Sequence, residues 1–390
     1  MGEWKEYKLG ALTIDGKGSY GIAASAVDFD VNKYTYLRIT DINDDGTINK
    51  DSLKSVDDVN ASNYLLKPND IVFARTGASV GRSYFYDGKD GEFVYAGFLI
   101  KYSIDPYKVN PKILKYYTHS QSYYDWIVSV DNGATRGNIN AQTYASMPIM
   151  LPERKRQDEI VSILSSLDDK IELLHRENTT LEAMAETLFR QWFIEEANGD
   201  DISLGEVVKT TSGGTPSRKK EEYYCNGNVK WVKSKELHHS YILETEEKIT
   251  EDAVANSSAK LLPENSVLIA MYGATVGEYG ILAEPMTCNQ AVCALIPNEN
   301  YPYTYLYLWA KYMQGEFINL ACGAAQQNIS QELIKQQYVS NDLKQISDFH
   351  IFVVPYMEKM KVNQKIIKTL NQMRDGLLPK LMNREVLIYG

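Results

Sequence analysis

The feature that most constrains the fold is an internal duplication within 390 residues. Leu9-Gly10 returns as Leu204-Gly205, Tyr36–Ile42 as Trp231–Leu237, and Pro68 as Pro263, all at an offset of 195. Gly77-Ala78-Ser79-Val80-Gly81 returns at an offset of 196 as Gly273-Ala274-Thr275-Val276-Gly277. Gly133-Ala134 and Asn138-Ile139 return at an offset of 190 as Gly323-Ala324 and Asn328-Ile329. Matches that keep one order, with offsets drifting only where loops tolerate a change of length, imply two copies of one domain.

Each copy opens on strand-like runs. Tyr34–Ile42 and Val229–Leu237 alternate, and Asp70–Arg75 and Ser266–Met271 are short apolar runs leading into the Gly-bracketed turns. Aromatic-rich helical stretches follow at Pro111–Trp126 and Tyr303–Phe317. Strands first and helices after suit an α+β unit.

A different kind of segment follows each copy. Between Pro152 and Gly199 there is neither glycine nor proline. Ile160, Leu167, Leu174, Leu181 and Leu188 recur every seven residues, and Leu164, Ile171, Asn178, Ala185 and Trp192 recur four places on. That is a heptad seam, and Glu172, Glu177, Glu182 and Glu186 leave it only a narrow apolar stripe. The spacing predicts a helix from Glu153 to Phe193, about 60 Å long at ~1.5 Å per residue. Asn178, polar at an a-type position, is expected to set register, so that its replacement by Leu raises the melting temperature. Near the end of the chain, Met360, Ile366, Ile367, Leu370, Met373 and Leu377 make a shorter stripe, and Pro379 is expected to end or kink it. Residues 151–197 are net −5 and residues 351–390 net +4. Opposite charge and two seams predict that the helices pair. An antiparallel pair would hold the two copies at opposite ends of a rod, related by a pseudo-twofold axis. The expected layout is therefore 1–150, 151–197, 198–350 and 351–390: domain, helix, domain, helix.

Composition excludes several classes. No apolar run is long enough to span a bilayer, and Met1–Lys17 carries no signal-peptide pattern, so a cytoplasmic protein is expected. Cys225, Cys288, Cys293 and Cys322 form no Cys-x-x-Cys pair and read as reduced thiols rather than a disulfide or zinc site. His238 and His239 are adjacent, so their side chains diverge, and no metal site is expected. The net charge is −10. A nucleic-acid face must therefore be a local patch, or binding must be shared with a partner.

The segments then match a family. Thr211-Ser212-Gly213-Gly214-Thr215-Pro216-Ser217 with Trp231–Leu237, and Tyr36–Ile42 in the first copy, resemble the opening of a target-recognition domain in type I restriction–modification specificity subunits. Leu151-Pro152 through Gln157, Leu167-Asp168-Asp169-Lys170-Ile171, Asn178, Leu181-Glu182 and Leu188–Phe193 resemble the family's central helical spacer. Leu377–Met382 resembles its ending. The resemblance covers nearly the whole chain. It implies two tandem target-recognition domains of one fold joined by two long helices in an antiparallel coiled coil. Each domain would read half of a split double-stranded DNA target, and the helices would fix the gap. Two modification subunits, carrying S-adenosylmethionine, would methylate adenine. Two restriction subunits would add ATP- and Mg-dependent translocation and cleavage. This chain itself would hold no cofactor and catalyse nothing. Against the second copy's Gly-Gly-Thr-Pro-Ser loop, the first copy sets Gly16-Lys17-Gly18-Ser19, which predicts different half-sites. Asn328 to Pro355 is also 13 residues longer than Asn138 to Pro152.

The residues agree with a reader. There is no Pro-Pro dipeptide, hence no Asn/Asp-Pro-Pro-aromatic motif for amino-methylation, and no Gly-x4-Gly-Lys-Ser/Thr loop for a nucleoside triphosphate. Arg forks onto guanine, and Asn and Gln pair with adenine. The contact candidates are thus Arg38, Arg75, Arg82, Arg136 and Asn138 in the first copy. In the second they are the basic run Arg218, Lys219 and Lys220, then Lys233, Lys235, Gln326, Gln327 and Asn328. Any one of them is individually more often a solvated surface charge. The 28 tyrosines are expected mostly to fill the cores. Two rivals stay open: an enzyme in its own right, and a coiled-coil scaffold whose globular ends bind protein.

Overall fold

A computed structural model describes residues 4–131, 137–196, 200–322 and 328–382. The chain separates into two compact units, Met1–Asp169 with Asn371–Gly390, and Lys170–Leu370. No described helix is long and apolar enough to cross a membrane.

In the first unit an antiparallel pair, Lys5–Lys8 with Pro148–Leu151, ties the domain's start to its end. A four-stranded antiparallel sheet runs in the order Ser19–Tyr20, Leu99–Ser103, Asp70–Ala74, Ser83–Tyr86. A second sheet sets Phe93–Tyr95 parallel to Tyr34–Leu37, with Lys54–Val56 and Ala26–Val27 beyond. The second unit repeats the plan. Asp201–Ser203 pairs with Tyr338–Ser340. Lys209–Ser212, Val292–Ile296, Val267–Ala270 and Tyr279–Leu282 form the main sheet, with Tyr241–Ile242 added at its edge. Val229–Val232 lies parallel to Thr287–Cys288. The α+β reading and the duplication both hold.

Register identifies the true counterparts. Phe73 faces Ile100 as Ile269 faces Cys293, and Tyr20 faces Ile100 as Ser212 faces Cys293. Tyr20 therefore corresponds to Ser212, and Gly21 to Gly213. Gly21 N–H donates to the Leu99 carbonyl and Gly213 N–H to that of Val292, both at 3.2 Å. A Cβ on Gly21 would overlap the carbonyls of Tyr95 and Ala96, and one on Gly213 those of Cys288 and Asn289. The partner of the Gly-Gly loop is thus Gly21, not Gly16–Ser19. The second apparent departure also disappears. From Asn138 to the strand opening at Pro148 is as far as from Asn328 to the strand opening at Tyr338. Pro355 is not the counterpart of Pro152, because it lies inside the second long helix, which begins at Leu343.

Other local expectations shift for visible reasons. Tyr34–Ile42 stops being a strand after Leu37, and Val229–Leu237 after Val232, each turning into a short 3-10 segment. A carboxylate three residues on causes it: Asp41 accepts from the Arg38 backbone N–H at 2.8 Å, and Glu236 from that of Lys233 at 2.7 Å. The stretch Pro111–Trp126 splits into Lys112–Tyr117 and Gln121–Asp131, whereas Tyr303–Cys322 is one helix. At the break, Thr118 turns its hydroxyl onto the Lys115 carbonyl at 3.0 Å.

The central helix spans Arg154–Arg190 and ends in a π turn, Gln191–Glu195. The C-terminal helix spans Leu343–Met382 and passes through Pro379 instead of ending there. Their ends are anchored in globular cores. Ile160 and Leu164 pack with Leu377 and Leu381 in the first unit, and Leu181 and Leu188 pack against the core of the second. Leu167 is partly buried. Helix packs on helix where Ile171 and Leu174 meet Ile367 and Leu370. Within the second unit Trp192 meets Phe349, and Asn178 meets Asn363, so the pairing is antiparallel.

Two seam assignments are corrected. Ile366 and Met373 are 38% and 49% exposed, while Ile367 is buried. The inward line is Met360, Asn363, Ile367, Leu370, Arg374 and Leu377, one residue out of step with Ile366 and Met373. Arg374 is tolerated there because Asp168 faces it at 3.2 Å. Charge between the helices is only partly used: Lys359 pairs with Glu177 at 3.6 Å, but Lys361 and Lys368 turn to Glu264 and Glu244 of the second domain.

Candidate nucleic-acid interface

The two Gly-bracketed turns have one geometry. Gly77 and Gly81 sit at φ +73° and +87°, Gly273 and Gly277 at +68° and +83°, a region where L residues are strained. Gly81 N–H returns to the Ala74 carbonyl and Gly277 N–H to that of Ala270. The turn follows a central strand of the main sheet and exposes the residues at its start.

In the first unit this is where Arg75 stands. Its backbone N–H donates to the Phe98 carbonyl at 3.1 Å, and its own carbonyl accepts from Ile139 N–H at 2.8 Å. Its guanidinium lies 5.0 Å over the Tyr20 ring, and its Nε donates to Asn138 Oδ1 at 3.3 Å. Tyr20 OH accepts from Ala141 N–H at 3.1 Å, which anchors the ring. Tyr20 and Phe98 are 42% and 59% exposed. Among the described residues no carboxylate pairs with Arg75.

The other first-copy candidates are engaged by the fold. Arg38 grips the fully buried Asp41 with two nitrogens, at 2.9 and 2.5 Å, and reaches the Ser52 carbonyl at 2.8 Å. Arg82 donates to Asp44 at 2.6 Å and to the Ile42 carbonyl at 3.1 Å. Arg136 lies outside the described residues.

In the second unit the same backbone positions carry different chemistry. Met271 N–H donates to the Ala291 carbonyl at 2.8 Å and Ile329 N–H to the Met271 carbonyl at 2.9 Å. Arg75, Phe98 and Tyr20 are thus replaced by Met271, Ala291 and Ser212. Asn328 repeats Asn138, bridged to Tyr272 as Asn138 is to Thr76. Tyr272 is 42% exposed. Ser212 donates to Gln331 Oε1 at 2.7 Å, and Gln331 donates to Thr210 at 2.8 Å. Gln326 and Gln327 lie outside the described residues.

The basic run of the second copy is less free than its sequence implies. Arg218 lies between Tyr224 and Trp231, 4.3 and 5.1 Å from their ring centres, and donates to Glu247 at 2.6 Å. Lys233 reaches the other oxygen of Glu247 at 2.5 Å, and Lys235 pairs with Glu246 at 2.7 Å. Hydrogen bonds from Arg218 and Lys233 hold the Glu247 carboxyl down at about 2. Lys220 donates to Tyr223 OH at 2.8 Å, and Lys219 is exposed. The run is therefore partly neutralised where it sits.

Sequence reasoning did not single out Tyr20, Phe98 or Tyr272, having expected most of the tyrosines in the cores. Only Tyr272 carried a sequence signal, directly before Gly273; Tyr20 and Phe98 reach the turn through strand pairing and hydrogen bonds.

Burial pushes the Cys288 and Cys293 thiols up to about 12, far from a reactive thiolate. His239 stacks on Tyr279 at 4.6 Å and meets Glu278 at 2.5 Å. Among the described residues no three His, Cys, Asp or Glu side chains gather as a metal site.

Comparison with known proteins gives the same two copies. The family model for the type I restriction modification DNA specificity domain matches residues 1–183 and again 198–377. The chain is 24% identical to the HindI specificity subunit of a type I restriction enzyme of Haemophilus influenzae, across 99% of this chain and 100% of that one. It is 26% identical to the MjaIX specificity subunit of Methanocaldococcus jannaschii over 70% of this chain and 69% of that one. Its fold matches the crystal structure of a type I restriction–modification S subunit from M. genitalium, with a TM-score of 0.60 and 17% identity over 97% of this chain and 96% of that one. Two matched domains thus account for nearly the whole chain, which belongs to the type I restriction–modification DNA specificity family: it is a non-catalytic subunit for recognising DNA sequence, and catalysis in such enzymes lies in partner subunits.

Proposed function

We propose that this chain reads a split double-stranded DNA target, one half with each copy, and carries two modification subunits on its helices and, through them, restriction subunits. S-adenosylmethionine, ATP and Mg are held by those partners, and the assembly works in the cytoplasm. The observation that carries the reading is a shared backbone with divergent side chains: the accessible Tyr20, Arg75 and Phe98 of one copy stand where Ser212, Met271 (buried) and Ala291 stand in the other. Phosphate contacts position a protein on DNA and base-edge contacts specify sequence, so different side chains on matched backbone positions are what two different half-sites require. The net charge of −10 fits a reader that shares its phosphate contacts with partners.

The test is to express the chain with its modification subunit in cells lacking other adenine methylation and to map methylated adenines. The expected result is one bipartite, asymmetric motif with a fixed gap. Methylation that does not depend on the chain, or a single uninterrupted palindrome, overturns the proposal.

A further inference from the structure

We propose that Arg75 is a base-reading residue, forking onto a guanine in the half-site read by the first copy, with Tyr20 and Asn138 as its positioning residues. This rests on the reading above and goes beyond it by naming the residue, the copy and the base. Among the four described arginines of the candidate set, Arg38, Arg82 and Arg218 are each bound to a carboxylate at 2.6 Å or less, and Arg75 is not. Its guanidinium is nevertheless held. The Tyr20 ring lies 5.0 Å below it, and Asn138 Oδ1 takes the Nε proton at 3.3 Å. That uses one face and one nitrogen. Among the described residues no hydrogen bond takes the two terminal nitrogens, the pair that matches guanine O6 and N7. A fork stacked on an aromatic ring loses little freedom on binding, so its discrimination is not spent on ordering.

The surroundings favour a base over a phosphate. Tyr20, 42% exposed, lies under the fork, and Phe98, 59% exposed, gives its carbonyl to the Arg75 backbone N–H, so accessible aromatic residues adjoin the place where Arg75 stands, as stacking and sugar contact require. The second copy supplies an internal contrast. Met271, at the place of Arg75, is 1% exposed, so no fork exists there.

The experiment is methylated-adenine mapping of the full chain with its modification subunit, comparing wild type with Arg75→Ala, Arg75→Lys and Arg75→Gln. A guanine at one position of one half-site is expected to lose about 5- to 150-fold of its preference in Arg75→Ala and Arg75→Lys. Gln pairs with adenine, so Arg75→Gln should gain adenine at that same position. The other half-site should stay unchanged in all three. An unchanged motif overturns the inference. So does a uniform loss across all sites with a shallower salt dependence, the signature of a phosphate contact. If Arg75→Ala does not accumulate as folded protein, the two longer side chains decide between these outcomes. A wild type that directs no methylation would instead sink the reading on which the inference rests, and a wild-type motif lacking guanine in both halves would sink the inference alone.

Discussion

Glu247 shows how one side chain can set the electrostatics of a surface. It accepts from Arg218 at 2.6 Å and from Lys233 at 2.5 Å, and these hold its carboxyl at about 2, against an ordinary 4.5. A carboxyl depressed in the folded state stabilises fully above its unfolded value and loses that contribution as pH falls toward the folded one. Glu247→Gln should therefore melt below wild type at neutral pH, with the gap narrowing from pH 4.5 downward. A constant gap across an acid series of melting curves would contradict this. Gly77 offers a backbone test. A Cβ there meets nothing within 4 Å, yet φ is +73°, so Gly77→Ala isolates the left-handed penalty. A loss of about 1 kcal/mol in chemical denaturation is expected.

For the paired helices, the seam carries polar groups facing one another. Asn363 is fully buried and donates to Asn178 Oδ1 and to Glu177 Oε2, both at 2.9 Å, while its own Oδ1 finds no partner. Sequence alone had Asn178 lone at its a-type position, so that Leu would stabilise. The structure reverses that. Asn178→Leu removes an acceptor from a buried amide and should cost about 1 kcal/mol, since a buried donor is expensive to leave unmet. Asn178→Leu with Asn363→Leu removes both amides and the orphan oxygen, and should melt at or above wild type while loosening register. A single variant more stable than the double would refute the account.

In the whole molecule, each long helix contributes residues to both compact units. If the helices fix the gap in the target, inserting one turn at matched positions of both should lengthen the gap in methylation maps. An unchanged gap would refute that role. The duplication, the α+β character, the glycine turns and the heptads were legible in sequence because each is a local pattern repeated in one dimension. The Arg38–Asp41 clasp spans only three residues, yet it was not read from sequence, where Arg38 stood as a DNA-contact candidate. What else stayed hidden depends on residues brought together from far along the chain. Arg82 is neutralised by Asp44, and Arg218 by Glu247, 38 and 29 residues away. Gly21 matches Gly213 only through strand register. Ile366 and Met373 look apolar enough for a seam, but the buried line runs one position away through two polar residues, Asn363 and Arg374, which are met by Asn178 and Asp168 on the other helix. Sequence by itself thus determined that there are two like domains and two long helices, because periodicity is written residue by residue. Only the tertiary structure decided which of the described candidate arginines stay without a carboxylate partner, because neutralisation is settled by contacts in space.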